Sequence, residues 1–227
     1  MAHAPTAPLT PFAIKDCALI ALATGDKVQT LKELRDHLKT VPGSSLYYHF
    51  WGGLLHPGFE EREYGNDLGE WAKHALHDAT LAERLAAIDP SGFANPEDMR
   101  QALLDVVEQR LEEDSANPWT PVDRQFQFIR SQIVVFDTGR TVEQPEQLAE
   151  VIAGLSPGSV FYHFIDARQR LPRGEDDFRA WLSAWGQRYT GLAQGLAAID
   201  PYFISLSELR EQLAALFANS HRSSTHV

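Results

Sequence analysis

One pattern occurs twice in this chain, and that repeat restricts the fold more than any other feature. LAERLAAIDP (Leu81 to Pro90) returns as LAQGLAAIDP (Leu192 to Pro201), eight of ten positions identical at an offset of 111. SLYYHF (Ser45 to Phe50) returns as SVFYHF (Ser159 to Phe164) at offset 114, the offset that also relates Thr24-Gly25 to Thr138-Gly139. Asp67, Trp71, Arg100 and Leu103 match Asp177, Trp181, Arg210 and Leu213 at offset 110. The matches are collinear, and their small drift is what short loop insertions produce. The copies span residues 12–114 and 126–219, with a polar, proline-containing linker at 115–125. Residues 1–11 and 220–227 lack periodicity and read as flexible tails.

Each copy predicts a fold, and the two readings check one another. FAIKDCALIALATG and FQFIRSQIVVFDTG are apolar runs closed by Thr-Gly, read as strands. Helix starts follow. Thr30 to Glu33 and Thr80 to Glu83 are capping boxes, and Gln144-Pro145 places proline at a first helical position. Asn95 and Ser205 open the last helix of each copy, Asn66 and Asp176 the tryptophan helix, and Ser44 or Ser45, with Ser159 in the second copy, the Tyr-His helix. Leu31, Leu34, Leu38 and Val41 share one helical face, as do Leu148, Val151, Ile152 and Leu155. The expected class is mainly α (α+β): two duplicated units, each a leading strand and about five short helices. The strands are candidates to pair across a pseudo-twofold.

Composition narrows the function classes. With 31 Asp+Glu against 20 Lys+Arg, the net charge is −11, which disfavours nucleic acid and anionic membrane as partners. No apolar run approaches the roughly 20 residues of a membrane span. The N-terminus lacks signal-peptide character, and the single cysteine, Cys17, excludes an intramolecular disulfide. A cytoplasmic protein, monomer or homodimer, without a cofactor, is expected.

The repeated order is apolar strand, Thr-Gly, Leu-rich helix, Ser-x-x-Tyr-His, Asp-x-x-x-Trp, Leu-Ala-x-x-Leu-Ala-x-Ile-Asp, then Leu/Met-Arg. It resembles an uncharacterised bacterial and archaeal domain of unknown function. The likeness covers nearly all of each copy, so the chain resembles a tandem pair of such domains. The resemblance implies no activity.

The shared polar residues are the first candidates for a site. His49 and His163 each follow tyrosine and precede phenylalanine. A satisfied core histidine competes with a ligand-pocket role that would include Tyr48, Tyr162, Ser45 and Ser159. A Ser45–His49–Asp67 triad is weaker, because Ser45 and Asp67 read as helix-start residues and no strained nucleophile turn is present. Glu70, His74 and His77 have a chelating spacing on one helix, but the second copy has Ala180, Ala184 and Gln187 there. Asp89 with Arg100, and Asp200 with Arg210, read first as ion pairs bracing a helix–loop–helix corner and second as substrate-anchoring arginines. The tryptophans read as core.

The copies differ most after the Tyr-His helix. The first has an acidic loop (Glu60, Glu61, Glu63), the second an arginine loop (Arg168, Arg170, Arg173) that is a candidate anion site or simply solvated. No Gly-rich phosphate loop, Cys/His cluster or convincing nucleophile appears. The expected function is a non-catalytic interaction or regulatory protein binding a protein partner or small ligand. An enzyme, or a small-molecule or metal sensor, with its site at the His-bearing helices is the alternative.

Overall fold

The computed structural model describes residues 10–55, 63–93, 95–113, 122 and 124–224, with side chains to residue 220. Glu60, Glu61, Trp119 and most of the expected linker and tails lie outside the described residues. What is described is mainly helical, α+β, with a two-stranded antiparallel sheet.

β1 (Phe12–Val28) and β2 (Phe126–Val142) pair with each other. Phe12 and Ile14 are buried on either side of exposed Ala13, as Phe126 and Phe128 are around Gln127, the period of a half-buried strand. Thr24 Oγ1 donates to the Phe128 carbonyl at 2.8 Å, and Thr138 Oγ1 donates to the Ile14 carbonyl. Thr-Gly, expected to close each strand, lies inside it. Gly25 (φ 87°) and Gly139 (φ 68°) adopt the left-handed conformation at no side-chain cost, and the strands continue past them to Val28 and Val142.

The chain divides into two compact units: residues 18–134, here unit I, and residues 1–17 with 135–227, here unit II. The division runs through both strands. Unit I holds the end of β1 with the start of β2, and unit II the start of β1 with the end of β2.

In unit I, α1 (Leu31–Leu38), α2 (Gly43–Leu55) and α4 (Ala79–Ala86) pack on α5 (Pro96–Glu113), and α3 (Asp67–His74) packs on α4. Leu34, Leu38, Leu81, Leu85, Leu103 and Val107 are fully buried there. Thr30 and Glu33 complete their capping box, and Asn66 Oδ1 accepts from Gly69 N at 2.9 Å to cap α3.

Unit II has α6 (Pro145–Ala153), α7 (Pro157–Val160), a π-helical run over Phe161–Asp166, α8 (Ala167–Arg170) and α9 (Asp177–Leu182). A 3₁₀ segment, Ser183–Tyr189, kinks at Gly186 and leads into α10 (Thr190–Ala197) and α11 (Leu206–Ser224). α6, α7 and α10 pack on α11, whose Leu209, Leu213 and Phe217 are buried. No helix among the described residues is long and apolar enough to cross a membrane.

Three local expectations are corrected. Neither Ser44 nor Ser45 caps α2: both lie inside the helix, with Ser45 fully buried, while Ser156 rather than Ser159 caps α7. Asp78, not Thr80, caps α4 by accepting from Leu81 N at 3.0 Å, and α10 begins at Thr190 with no side-chain cap. Arg100 does not pair with Asp89. Its guanidinium donates to the carbonyls of Leu38, the last residue of α1, and Val41, and to Glu97, while Asp89 accepts from Ser91. Arg210 likewise donates to the Leu155 carbonyl at 3.0 Å, and Asp200 accepts from Tyr202 N at 2.9 Å. Carbonyls at a helix C-terminus have no partner within the helix and draw an arginine that a local turn carboxylate does not need.

α7 meets β1 at Gly158, where a Cβ would overlap Asp16 Oδ1 and the Cys17 carbonyl. The Cys17 thiol, pushed up to about 12 chiefly by burial, donates to the Gly158 carbonyl at 3.3 Å. Gly158→Ala is expected to lower the unfolding free energy by about 1–3 kcal/mol through overpacking, read from a denaturant-unfolding midpoint.

Candidate functional site

α2 carries Ser45 and His49 four residues apart, hence on one face. Both reach Ile129 of β2. Ser45 Oγ donates to the Ile129 carbonyl at 2.7 Å, and the Ile129 N–H donates to His49 Nε2 at 3.1 Å. The helix thus offers one strand residue a donor and an acceptor, as a neighbouring strand would. His49 Nδ1 lies 2.8 Å from Asp67 Oδ2. Because Nε2 accepts, the neutral ring places its proton on Nδ1 and donates it to Asp67.

Unit II repeats the arrangement with other residues. His163 Nδ1 lies 2.8 Å from Asp177 Oδ2, and the Lys15 N–H of β1 donates to His163 Nε2 at 2.9 Å. Both imidazoles are buried, at 3% and 2% exposure. An aromatic ring from the start of the clamped strand covers each: Phe126 on His49 at 4.7 Å and Phe12 on His163 at 4.9 Å. Trp71 Nε1 donates to the Arg124 carbonyl and Trp181 Nε1 to the Thr10 carbonyl, fixing the chain just before each strand. His49 therefore grips β2 and His163 grips β1, in each case a strand far from the histidine along the chain.

This geometry limits the chemistry. With Nε2 accepting from a strand amide, the imidazole can take up a substrate proton only if the strand moves away. Ser45 Oγ faces a carbonyl rather than His49 Nε2, so Ser45, His49 and Asp67 are not arranged as a nucleophile and its base. Ser159 is buried and receives a hydrogen bond from Ser156 Oγ at 3.0 Å.

Unit II adds a cleft of about 260 Å³ beside its histidine, lined by Phe12, Tyr162, His163, Arg170, Asp177 and Trp181 among others. Arg170 organises it. Its guanidinium lies 4.0 Å over the Tyr162 ring, 2.5 Å from Asp166 Oδ2 and 3.0 Å from Asp177 Oδ2, and donates to the Tyr162 carbonyl at 3.0 Å. Burial pushes the Tyr162 phenol up, opposed by Arg170 and assisted by Asp177 and Asp166. Tyr48 packs edge-on against His49 at 5.4 Å.

The three loop arginines are not gathered. Arg168 stacks over Phe164 at 4.5 Å and donates to the Ile199 carbonyl, Arg170 faces the cleft, and Arg173 is exposed. In unit I, His74 Nε2 lies 3.2 Å from Glu70 Oε2 and 3.7 Å from Glu63 Oε2, while His77 occupies a left-handed turn at φ 55°. No group of three or more His, Cys, Asp or Glu is placed to hold a metal ion among the described residues. Sequence reasoning missed Phe12, Asp166 and the strand amides of Lys15 and Ile129 as parts of these sites. The signal for Phe12 was there, since aromatic residues begin both apolar runs; backbone amides leave none.

Removing one imidazole takes the acceptor away from a part-buried strand amide. His163→Ala is expected to cost about 1–3 kcal/mol and to speed hydrogen exchange at the Lys15 amide. His49→Ala should do the same at Ile129, both read by exchange NMR.

Comparison with known proteins adds the fold and the family. The solved structure of OrfY from Thermoproteus tenax superposes with a TM-score of 0.80 at 24% identity, over 94% of this chain and 96% of that one. At that identity the likeness speaks for the fold alone. No curated protein matches the chain. The model of the family of unknown function DUF5752 matches residues 9–218, and the chain belongs to that family.

Proposed function

We propose that this is a non-catalytic interaction or regulatory protein, of cytoplasmic location, that binds a small ligand or a protein partner. The supporting observation is that both ring nitrogens of His49 and of His163 are held by the chain's own groups. The residues with the strongest chemical potential thus serve the fold. The repeat is read as a tandem duplication over 12–114 and 126–219, and the parallel settings of His49 and His163 support it. With a net charge of −11, nucleic acid and anionic membrane remain disfavoured partners, and a monomer or homodimer is the expected state.

The recognition surface favoured for a small ligand is the unit II cleft. It combines aromatic walls, Tyr162 and Trp181, with a charged group, Arg170, whose position its neighbours already set. A catalytic or sensing role at the same place is the second reading, because the cleft also reaches His163 and Asp177.

Thermal-shift screening of the full chain against a metabolite panel tests both. Hits whose stabilisation disappears in Trp181→Ala and Arg170→Met are the expected result. Turnover of any compound, abolished by His163→Asn, would replace the binding reading with an enzymatic one.

A further inference from the structure

One buried difference between the units, outside both the clamp and the cleft lining, changes a hydrogen-bonding group. Asn66 caps α3 in unit I, and its counterpart Asp176 caps α9 in unit II. Both are fully buried, at 0% exposure. The Asn66 side chain works in both directions: Oδ1 accepts from Gly69 N at 2.9 Å, and Nδ2 donates to the Leu85 carbonyl at 3.0 Å. Asp176 keeps only the first half. Its Oδ1 accepts from Arg179 N at 2.9 Å. Its Oδ2 is buried with no hydrogen-bond partner among the described residues, and the Arg179 Nε is 3.9 Å away. Leu85, the acceptor in unit I, corresponds to Leu196 of α10 in the repeated LAxxLAAIDP segment.

A carboxylate cannot donate, but a carboxylic acid can. We propose that Asp176 is a proton switch at the start of α9: protonated, it donates from Oδ2 to a backbone carbonyl of α10, Leu196 by correspondence, as Asn66 does to Leu85. Ionised, it leaves a buried, half-satisfied charge under α9. That helix also carries Asp177, which holds His163 and Arg170, and Trp181, which holds the Thr10 carbonyl. The proton on Asp176 thus sets how firmly the clamp and one wall of the cleft are held. The switch does not depend on the cleft being filled.

The surroundings favour the neutral form. Burial pushes the Asp176 carboxyl up to about 6, against the hydrogen bond from Arg179 N and the charges of Arg168 and Arg179. α10 (Thr190–Ala197) offers no ionisable side chain. In the Phe161–Asp166 run, Asp166 is engaged by Arg170 and His163 by Asp177, while Arg188 and Tyr189 of the 3₁₀ segment are engaged by Glu146. An unfolded aspartate titrates near about 3.9. A folded value above that makes the contribution full below about 4, lost as pH rises through about 6, and level beyond.

Asp176→Asn supplies the missing donor permanently. Melting temperatures of wild type and this variant, compared from pH 4 to 8, should be close at the acid end. The variant should then gain as pH rises to about 6 and hold its lead above it. A difference independent of pH overturns the proposal. Carbon-detected NMR titration of the wild-type Asp176 carboxyl needs no variant to fold: a midpoint near 6 is expected, and one in the ordinary carboxylate range overturns it. Asn66→Asp should transfer the same pH-dependent loss to unit I, and a loss equal at pH 4 and pH 8 would count against the switch.

Discussion

The histidine clamp is the interaction on which the rest depends. A two-stranded ribbon leaves the outward-facing amides and carbonyls of each strand without a partner strand, and such groups are costly when buried. Here a helix takes the missing strand's place. In unit I, Ser45 and His49 meet the carbonyl and amide of Ile129; in unit II, His163 meets the amide of Lys15. The carboxylate behind each imidazole fixes its tautomer, so that Nε2 presents a lone pair to the strand. Phenylalanine and tryptophan then close over the contact, and the helices behind assemble the core.

The clamp also explains how the compact units relate to the repeat. Each strand begins in the unit whose helices come from the other half of the sequence. Phe12 packs on His163, and Phe126 on His49. Residues 12–114 alone lack the β2 start that His49 grips, and residues 126–219 alone lack the β1 start that His163 grips.

Given a shared clamp, the departures between the units carry the functional argument. Unit I has a regular α2, whereas unit II passes through a π-helical run at Phe161–Asp166, a distortion often found at functional positions. That run turns Tyr162 beneath Arg170 and brings Asp166 to the guanidinium. Unit II also exchanges the two-way amide of Asn66 for the acid of Asp176. Both changes lie beside the cleft-forming helix α9.

Much of the fold was legible in the order of residues. The apolar runs that open at Phe12 and Phe126, the capping box at Thr30 and Glu33, and the apolar stripes of α1 and α6 are local or periodic properties. Such properties are carried by neighbours a few residues apart. The repeat itself, the acidic balance and the pairing of Asp67 with Asp177 as equivalents also came from the sequence alone. What only the tertiary structure decided is where the polar side chains spend their hydrogen bonds. Ser45 looked like a cap and Arg100 like a partner for Asp89, because a linear reading favours nearby groups. Ser45 found the Ile129 carbonyl 84 residues away and Arg100 the carbonyls of Leu38 and Val41. His163 found an amide 148 residues distant. Backbone amides and carbonyls are the same at every position, so a sequence cannot mark which of them will need a side chain; only the packed chain creates that demand.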